Sequence, residues 1–182
     1  MAVGNTFGAT ALSSYGGFWI SFAIILTPGG FNIAAAYEEG GVNAENYALG
    51  YYLAGWFIFT SLLLVCTLRS TVAFFLLFFF LDLAFLFLFL AHLYPDAEGN
   101  VHVPLNKAGG YFGLFAAFMA WYNALAGIAD SRYVSTLVSP FLTNRILITS
   151  DSNSFFIIPV AHFPWSDKGR EKRGLGSKSN ED

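Results

Sequence analysis

An aspartate stands inside the run "FFLLFFFLDLAFLFLFL" (Phe74 to Leu90), with no other charge for several turns on either side. A carboxylate in hydrocarbon costs at least about 2.5 kcal/mol even on the mildest insertion scales, so Asp82 needs a reason to be there. One reading makes it a proton-accepting group or part of a substrate path. The other makes it a protonated or hydrogen-bonded acid, satisfied by hydroxyls on a neighbouring helix. The residues alone leave both open. Asn123 in "AWYNALAG" and the hydroxyls Thr10, Ser13, Ser14 and Ser21 of "TALSSYGGFWIS" are also polar groups in apolar surroundings. They read as interhelical hydrogen-bonding groups before they read as ligands.

Other chemistry is hard to assemble from this chain. The single Cys66 lies in an apolar run and cannot form an intrachain disulfide, so it reads as core filling. His92, His102 and His162 fall in three different segments, not at metal-ligand spacing, and no nucleotide loop or nucleophile motif is present. Neither an enzyme nor a resident metal or cofactor is expected, and no nucleic acid partner.

The elements that must hold these groups are membrane spans. The chain is 55% hydrophobic, 19% aromatic and 12% charged, with a mean hydropathy of +0.55, far from an ordinary soluble domain. No Asp, Glu, Lys or Arg occurs from Met1 to Tyr37, from Asn46 to Leu68 or from Ala108 to Ala129. The apolar runs predict an all-α membrane protein with four transmembrane helices over about 7–26, 47–68, 71–92 and 108–129. Each of the last three is about 22 residues, or roughly 33 Å at 1.5 Å per residue, enough for a hydrocarbon core of about 30 Å. Asp82 then falls near the midplane.

The joints agree. "TPGGFNIAAAYEEGGVNAEN" (Thr27 to Asn46) carries Pro, Gly and three glutamates, and "YPDAEGNVHVPLNK" (Tyr94 to Lys107) is similarly polar, so both are aqueous loops. "RS" (Arg69, Ser70) is a tight turn. Arg69 and the seven basic residues after the fourth span lie on one side, against Lys107 on the other. That bias makes the C-terminal tail, 134–182, cytoplasmic. Its end, "SDKGREKRGLGSKSNED", is charged and Gly/Ser rich and reads as a disordered end. The first apolar stretch lacks a basic flank and a cleavage pattern, so it is expected to stay in the membrane as a helix of a domain spanning 1–133. Small residues on three spans, among them Gly16 and Gly17, Gly50 and Gly55, and Gly109 and Gly113, predict close helix contacts within and between protomers.

"GNTFGATALSSYGGFW" (Gly4 to Trp19), "GYYLAGWFIFT" (Gly50 to Thr60), "CTLRS" (Cys66 to Ser70) and "NSFFIIPVAHFPW" (Asn153 to Trp165) together resemble the acetate uptake transporter family, the succinate–acetate permease type, in its fungal branch. The resemblance covers most of the chain. It implies a six-helix protomer, of which the four spans correspond to helices three to six, assembled as a homo-hexamer in the plasma membrane. It also implies proton-coupled transport of acetate or a similar small monocarboxylate, through a path in each protomer narrowed by a Phe, a Tyr and a Leu. Matching the motifs puts the Tyr at Tyr15 and the Leu at Leu81. Asp82, Ser14 and Asn123 become candidates for the path or for proton linkage. An apolar-aromatic constriction favours a neutralised acid, since ionised acetate would need its hydration replaced.

Two departures from the family pattern stand out. The family's first two helices and its "NPAPLGL"-like signature, with the Phe of the constriction, have no counterpart here, which suggests a truncated gene model or fragment. After "AGIAD", the segment "SRYVSTLVSPFLTNRILITSD" (Ser131 to Asp151) intervenes where the family runs on into "SNSFF", as an in-frame retained intron would. A fifth span there is disfavoured by Pro140, Asn144 and Arg145. The competing functional reading is a non-transporting membrane subunit or fragment that assembles with full-length paralogues.

Overall fold

The computed structural model describes residues 6–38, 40–128 and Pro164. Among them every regular element is helical. In chain order they are α1 (Thr6–Leu26), α2 (Ile33–Glu38), α3 (Ala44–Cys66), a single 3₁₀ turn (Thr67–Arg69), α4 (Val72–Leu93) and α5 (Val103–Ile128). The tail at 134–182, Pro164 apart, and the insertion at 131–151 lie outside the described residues.

Three of the helices are long and apolar enough to cross a membrane: α1, α3 extended through its 3₁₀ turn to Arg69, and α4. The protein is therefore an integral membrane protein with three apolar helical spans. The fourth expected span, α5, is the longest helix at 26 residues but falls short in apolarity. Asn106, Lys107, four glycines, two tyrosines and Asn123 dilute its alanines and phenylalanines. Large side chains point outward along the three apolar spans, including Leu12, Ile58, Leu62 and Phe79, as a lipid-facing surface requires.

Two boundaries depart from the expectation for physical reasons. The first predicted loop contains the short α2, whose "IAAAYE" carries three consecutive alanines, the best helix formers. The second predicted loop ends early because α5 starts at Val103. His102 caps it, its ring Nδ1 accepting the Leu105 N–H at 3.4 Å and its carbonyl the Asn106 N–H at 3.0 Å. Pro104 sits in the first helical turn, where its missing N–H is no loss. At the tight turn, Thr71 caps α4 through Oγ1, which accepts the Phe74 N–H at 3.2 Å.

The chain forms two compact units, residues 1–59 with 85–109 and residues 60–84 with 110–182. In the first, Phe18, Leu53, Phe85 and Ala91 are buried, and Gly50 lets α3 approach the end of α4 closely. A methyl on Gly50 would lie 2.8 Å from Leu93 Cδ2 and 3.3 Å from the Leu93 backbone nitrogen. The loop between α4 and α5 is tied back to α3 by Asn46, whose Nδ2 donates to the Gly99 carbonyl at 2.7 Å. Gly99 has φ +84° and presses against Val42, so both its backbone and its space require glycine. In the second unit Thr60, Leu63, Thr67, Phe78, Ala84 and Ala116 are buried. Thr67 returns its hydroxyl to the Leu64 carbonyl at 2.6 Å.

The α4–α5 loop is organised by one carboxylate. Asp96 accepts the backbone N–H groups of Glu98 and Asn100 at 2.9 and 2.7 Å and the Asn100 side-chain amide at 3.0 Å. The Asn100 side chain, and then its backbone N–H, hold the Asp96 carboxyl below the usual carboxylate range. A depressed folded-state value means that this stabilisation is complete above the unfolded value and disappears as pH falls through the folded one. Amide exchange at Glu98 and Asn100 is therefore expected to stay slow at neutral pH, and to rise several-fold there in Asp96→Ala. Gly50→Ala is expected to destabilise the protein in detergent by about 1–3 kcal/mol through overpacking. Gly17→Ala, where nothing of the described chain lies within 4 Å, should leave the melting temperature of the dispersed single chain unchanged.

Candidate functional site

The first unit holds an aromatic cluster built by helical spacing. Tyr15, Phe18 and Phe22 recur every three or four residues on α1, and Tyr52, Trp56 and Phe59 do so on α3, so each set shares a face. The two faces meet. Tyr15 lies 5.9 Å from Trp56 and 6.0 Å from Phe59 between ring centroids. Phe18, the buried centre, stacks on Tyr52 at 5.9 Å and meets Trp56 at 5.0 Å and Phe85 of α4 at 5.3 Å edge to face. These are the offset and T-shaped arrangements that ring quadrupoles favour.

One polar contact pins this cluster. Ser21 Oγ lies within reach of the Gly17 and Phe18 carbonyls at 2.9 and 3.0 Å and 2.6 Å from Tyr52 Oη. Either hydroxyl can donate across this contact, and Tyr52 Oη also lies within reach of the Phe18 carbonyl at 3.3 Å. The cluster contains no cationic side chain, so nothing in it would pair with an ionised carboxylate. It presents an apolar-aromatic wall with hydroxyl groups at its margin.

In the second unit Asp82 has a hydroxyl partner. Ser61 of α3 donates to Asp82 Oδ1 at 2.8 Å, and both side chains are half-buried. Leu81 is half-buried immediately before it. Phe80 packs on Phe115 and Phe112 of α5, at 5.6 and 6.4 Å. Asn123 of α5 donates to the Ala73 carbonyl of α4 at 3.1 Å and to the Met119 carbonyl of its own helix at 2.7 Å. It is thus an interhelical tie.

Tyr15, Ser14, Leu81, Asp82 and Asn123 all fall on helices. Tyr15 and the half-buried Ser14 belong to the first unit, and Leu81, Asp82 and Asn123 to the second. The hydroxyls of α1 divide. Ser21 does cross to α3, but Ser13 turns back to its own helix, donating to Ala9 at 2.7 Å, because a serine in a helix interior reaches the preceding turn without help. Gly16, Gly17, Gly55 and Gly113 have open space where a Cβ would point, so the close contacts expected of them are not made among the described residues, whereas that of Gly50 is. The sequence reading missed Ser61 and Tyr52. A hydroxyl on the helix preceding an intramembrane acid was a usable signal for Ser61, but nothing local marked its register against Asp82. Among the described residues no three His, Cys, Asp or Glu side chains come together as metal ligands.

Comparison with known proteins adds an independent line. Residues 1–144 match the sequence profile of the GPR1/FUN34/yaaH family. The chain is 62% identical over 175 residues to a protein named acetate permease A from Emericella nidulans, covering 95% of this chain and 52% of the relative. It is 48% identical over 141 residues to ammonia transport outward protein 2 of Saccharomyces cerevisiae, covering 78% of this chain and 47% of that protein. It is 33% identical over 137 residues to the succinate-acetate/proton symporter SatP of Escherichia coli, covering 74% and 65%. The chain spans about half the length of these two fungal relatives. These names describe transport, not enzymatic catalysis. No solved structure matches the chain.

Tyr52→Phe is expected to loosen the α1–α3 contact, lowering stability by about 0.5–1.5 kcal/mol as one lost hydrogen bond, read as a reduced melting temperature in detergent. Asn123→Leu should do the same to the α4–α5 contact.

Proposed function

The chain belongs to the GPR1/FUN34/yaaH family, and on that premise we propose that it takes part in moving acetate or a similar small monocarboxylate across a membrane together with a proton, through a narrow path in each protomer. The observation that carries this reading is the extent of its likeness to the acetate permease, which runs through nearly the whole chain. The symporter's name supplies the precedent for the proton.

The chemistry of the two units fits that substrate class. An aromatic wall without a cation accepts a small acid in its neutral form more readily than a hydrated anion, whose desolvation it could not repay. Tyr15 is proposed as a constriction residue, held by Trp56 and Phe59, with Ser14 beside it. Leu81 is proposed as a second constriction residue and Asp82 as the proton-linked group, while Asn123 holds α5 against α4.

In this reading α5 is a fourth crossing, its polar and small residues turned to protein and not to lipid. The bias of Arg69 and the C-terminal basic residues supports a cytoplasmic tight turn and C-terminus, and the family resemblance supports the plasma membrane as the host. The open glycine positions on α1, α3 and α5 support packing against further helices, as a homo-oligomer, a hexamer by family resemblance, would supply.

Uptake of labelled acetate by cells lacking their own carriers and expressing this chain tests the reading. Tyr15→Ala and Leu81→Ala are each expected to change the uptake rate by roughly tenfold, since each is proposed as a constriction residue. Unchanged uptake in both variants would remove these residues from the path. Absence of uptake, with co-purification of a longer relative, would instead make the chain a non-transporting membrane component.

A further inference from the structure

The Ser61–Asp82 pair has a property that a fixed ion pair would lack. Ser61 Oγ carries one hydrogen and two lone pairs, so by rotating it can donate to a carboxylate or accept from a carboxylic acid. In the structure it donates to Asp82 Oδ1 at 2.8 Å. A lysine or arginine in its place would favour only the ionised acid, and an apolar residue would leave that form without a donor.

Among the described residues of this unit, the titratable neighbours of Asp82 are few. Among the described residues, Ser61 is the side chain hydrogen-bonded to it. Its own helix carries no other titratable group between Val72 and Ala84. From α3, the titratable neighbour in this unit is Cys66, and the turn that follows adds Arg69. Arg69 joins at the 3₁₀ turn, and Val72 to Asp82 alone is ten residues, about 15 Å of helix. From the part of α5 in this unit the titratable side chains are Tyr111 and Tyr122.

We propose that Ser61 is a positioning residue that serves both protonation states of Asp82, making the pair a reversible protonation site within the spans. The proposal rests on the proton-coupled reading above and assigns its proton to a site of two residues. The step balances simply. The Asp82 carboxylate takes a proton from hydronium, which is left as water. A new O–H bond forms on Asp82, and Ser61 keeps its own hydrogen and rotates from donor to acceptor. Release reverses both movements.

The test separates the pair from the transport reading. Infrared difference spectroscopy of the purified full chain in lipid follows the C=O band of protonated Asp82, identified by its loss in Asp82→Asn, as pH is varied. The band is expected to grow as pH falls. Ser61→Ala, which removes a charge-assisted bond to the ionised form that is stronger than the bond accepted from the neutral acid, is expected to move the half-point to higher pH by about one unit. Ser61→Thr should restore it. If Ser61→Ala does not assemble, Ser61→Cys, a weaker donor, should give a smaller shift in the same direction. A band that is independent of pH, or a half-point unmoved by Ser61→Ala, overturns the proposal.

Acetate uptake measured against pH on the same variants then reads the mechanism. A matching shift in Ser61→Ala supports both the pair and the coupled transport. An infrared shift with an unmoved uptake profile supports the pair as a protonation site and overturns its place in transport.

Discussion

Hydrocarbon offers no hydrogen bonds, and most of this fold follows from that. Every backbone N–H and C=O inside the bilayer must be satisfied by the chain itself, so the spans are unbroken helices and the irregular backbone is confined to the joints. Side-chain polar groups obey the same rule. Ser13 and Thr67 return their hydroxyls to the preceding turn, and Ser21 shares itself between its own helix and Tyr52. Asn123 spends both described bonds on carbonyls, one of them on another helix. Against this background Asp82 is the exceptional group, an acid whose partner among the described residues is a single hydroxyl.

Packing inside the spans cannot draw on the hydrophobic effect as a soluble core does, because lipid tails are as apolar as leucine. Two other devices appear. Aromatic rings meet edge to face or stacked around Phe18, where quadrupoles and dispersion act without water. Glycine permits backbone approach at Gly50, against Leu93, while other glycines of the same kind face open space. The α4–α5 loop, outside the spans, is held by a different chemistry, a carboxylate ringed by amides at Asp96.

The same constraint bears on what could pass through such a protein. A wall of Tyr15, Trp56 and Phe59 has no charge to exchange for a hydration shell, which is why the proposed cargo is a small acid in its neutral form. A carboxylate beside a rotatable hydroxyl is a reasonable place for a proton to rest. Substrate selection and proton handling would then reside in different residues.

Composition and charge spacing alone determined that this is a helical membrane protein, since charge-free stretches of bilayer length admit few other folds. The three apolar spans were legible to within a few residues, as was the tight turn at Arg69, because hydrophobic length and local capping are properties of contiguous sequence. Helix α5 was legible as a helix, but its start at Val103 depended on a histidine cap. The resemblance in "GNTFGATALSSYGGFW" and "CTLRS" identified the family. Only the tertiary structure decided which polar groups meet. That Ser61 reaches Asp82, that Tyr52 reaches Ser21 and Ser13 does not cross, and that Gly50 is filled against while Gly17 is open all depend on the rotation and register of one helix against another. Those are set by the sum of many weak contacts along two surfaces, and no local pattern in one strand of sequence encodes them.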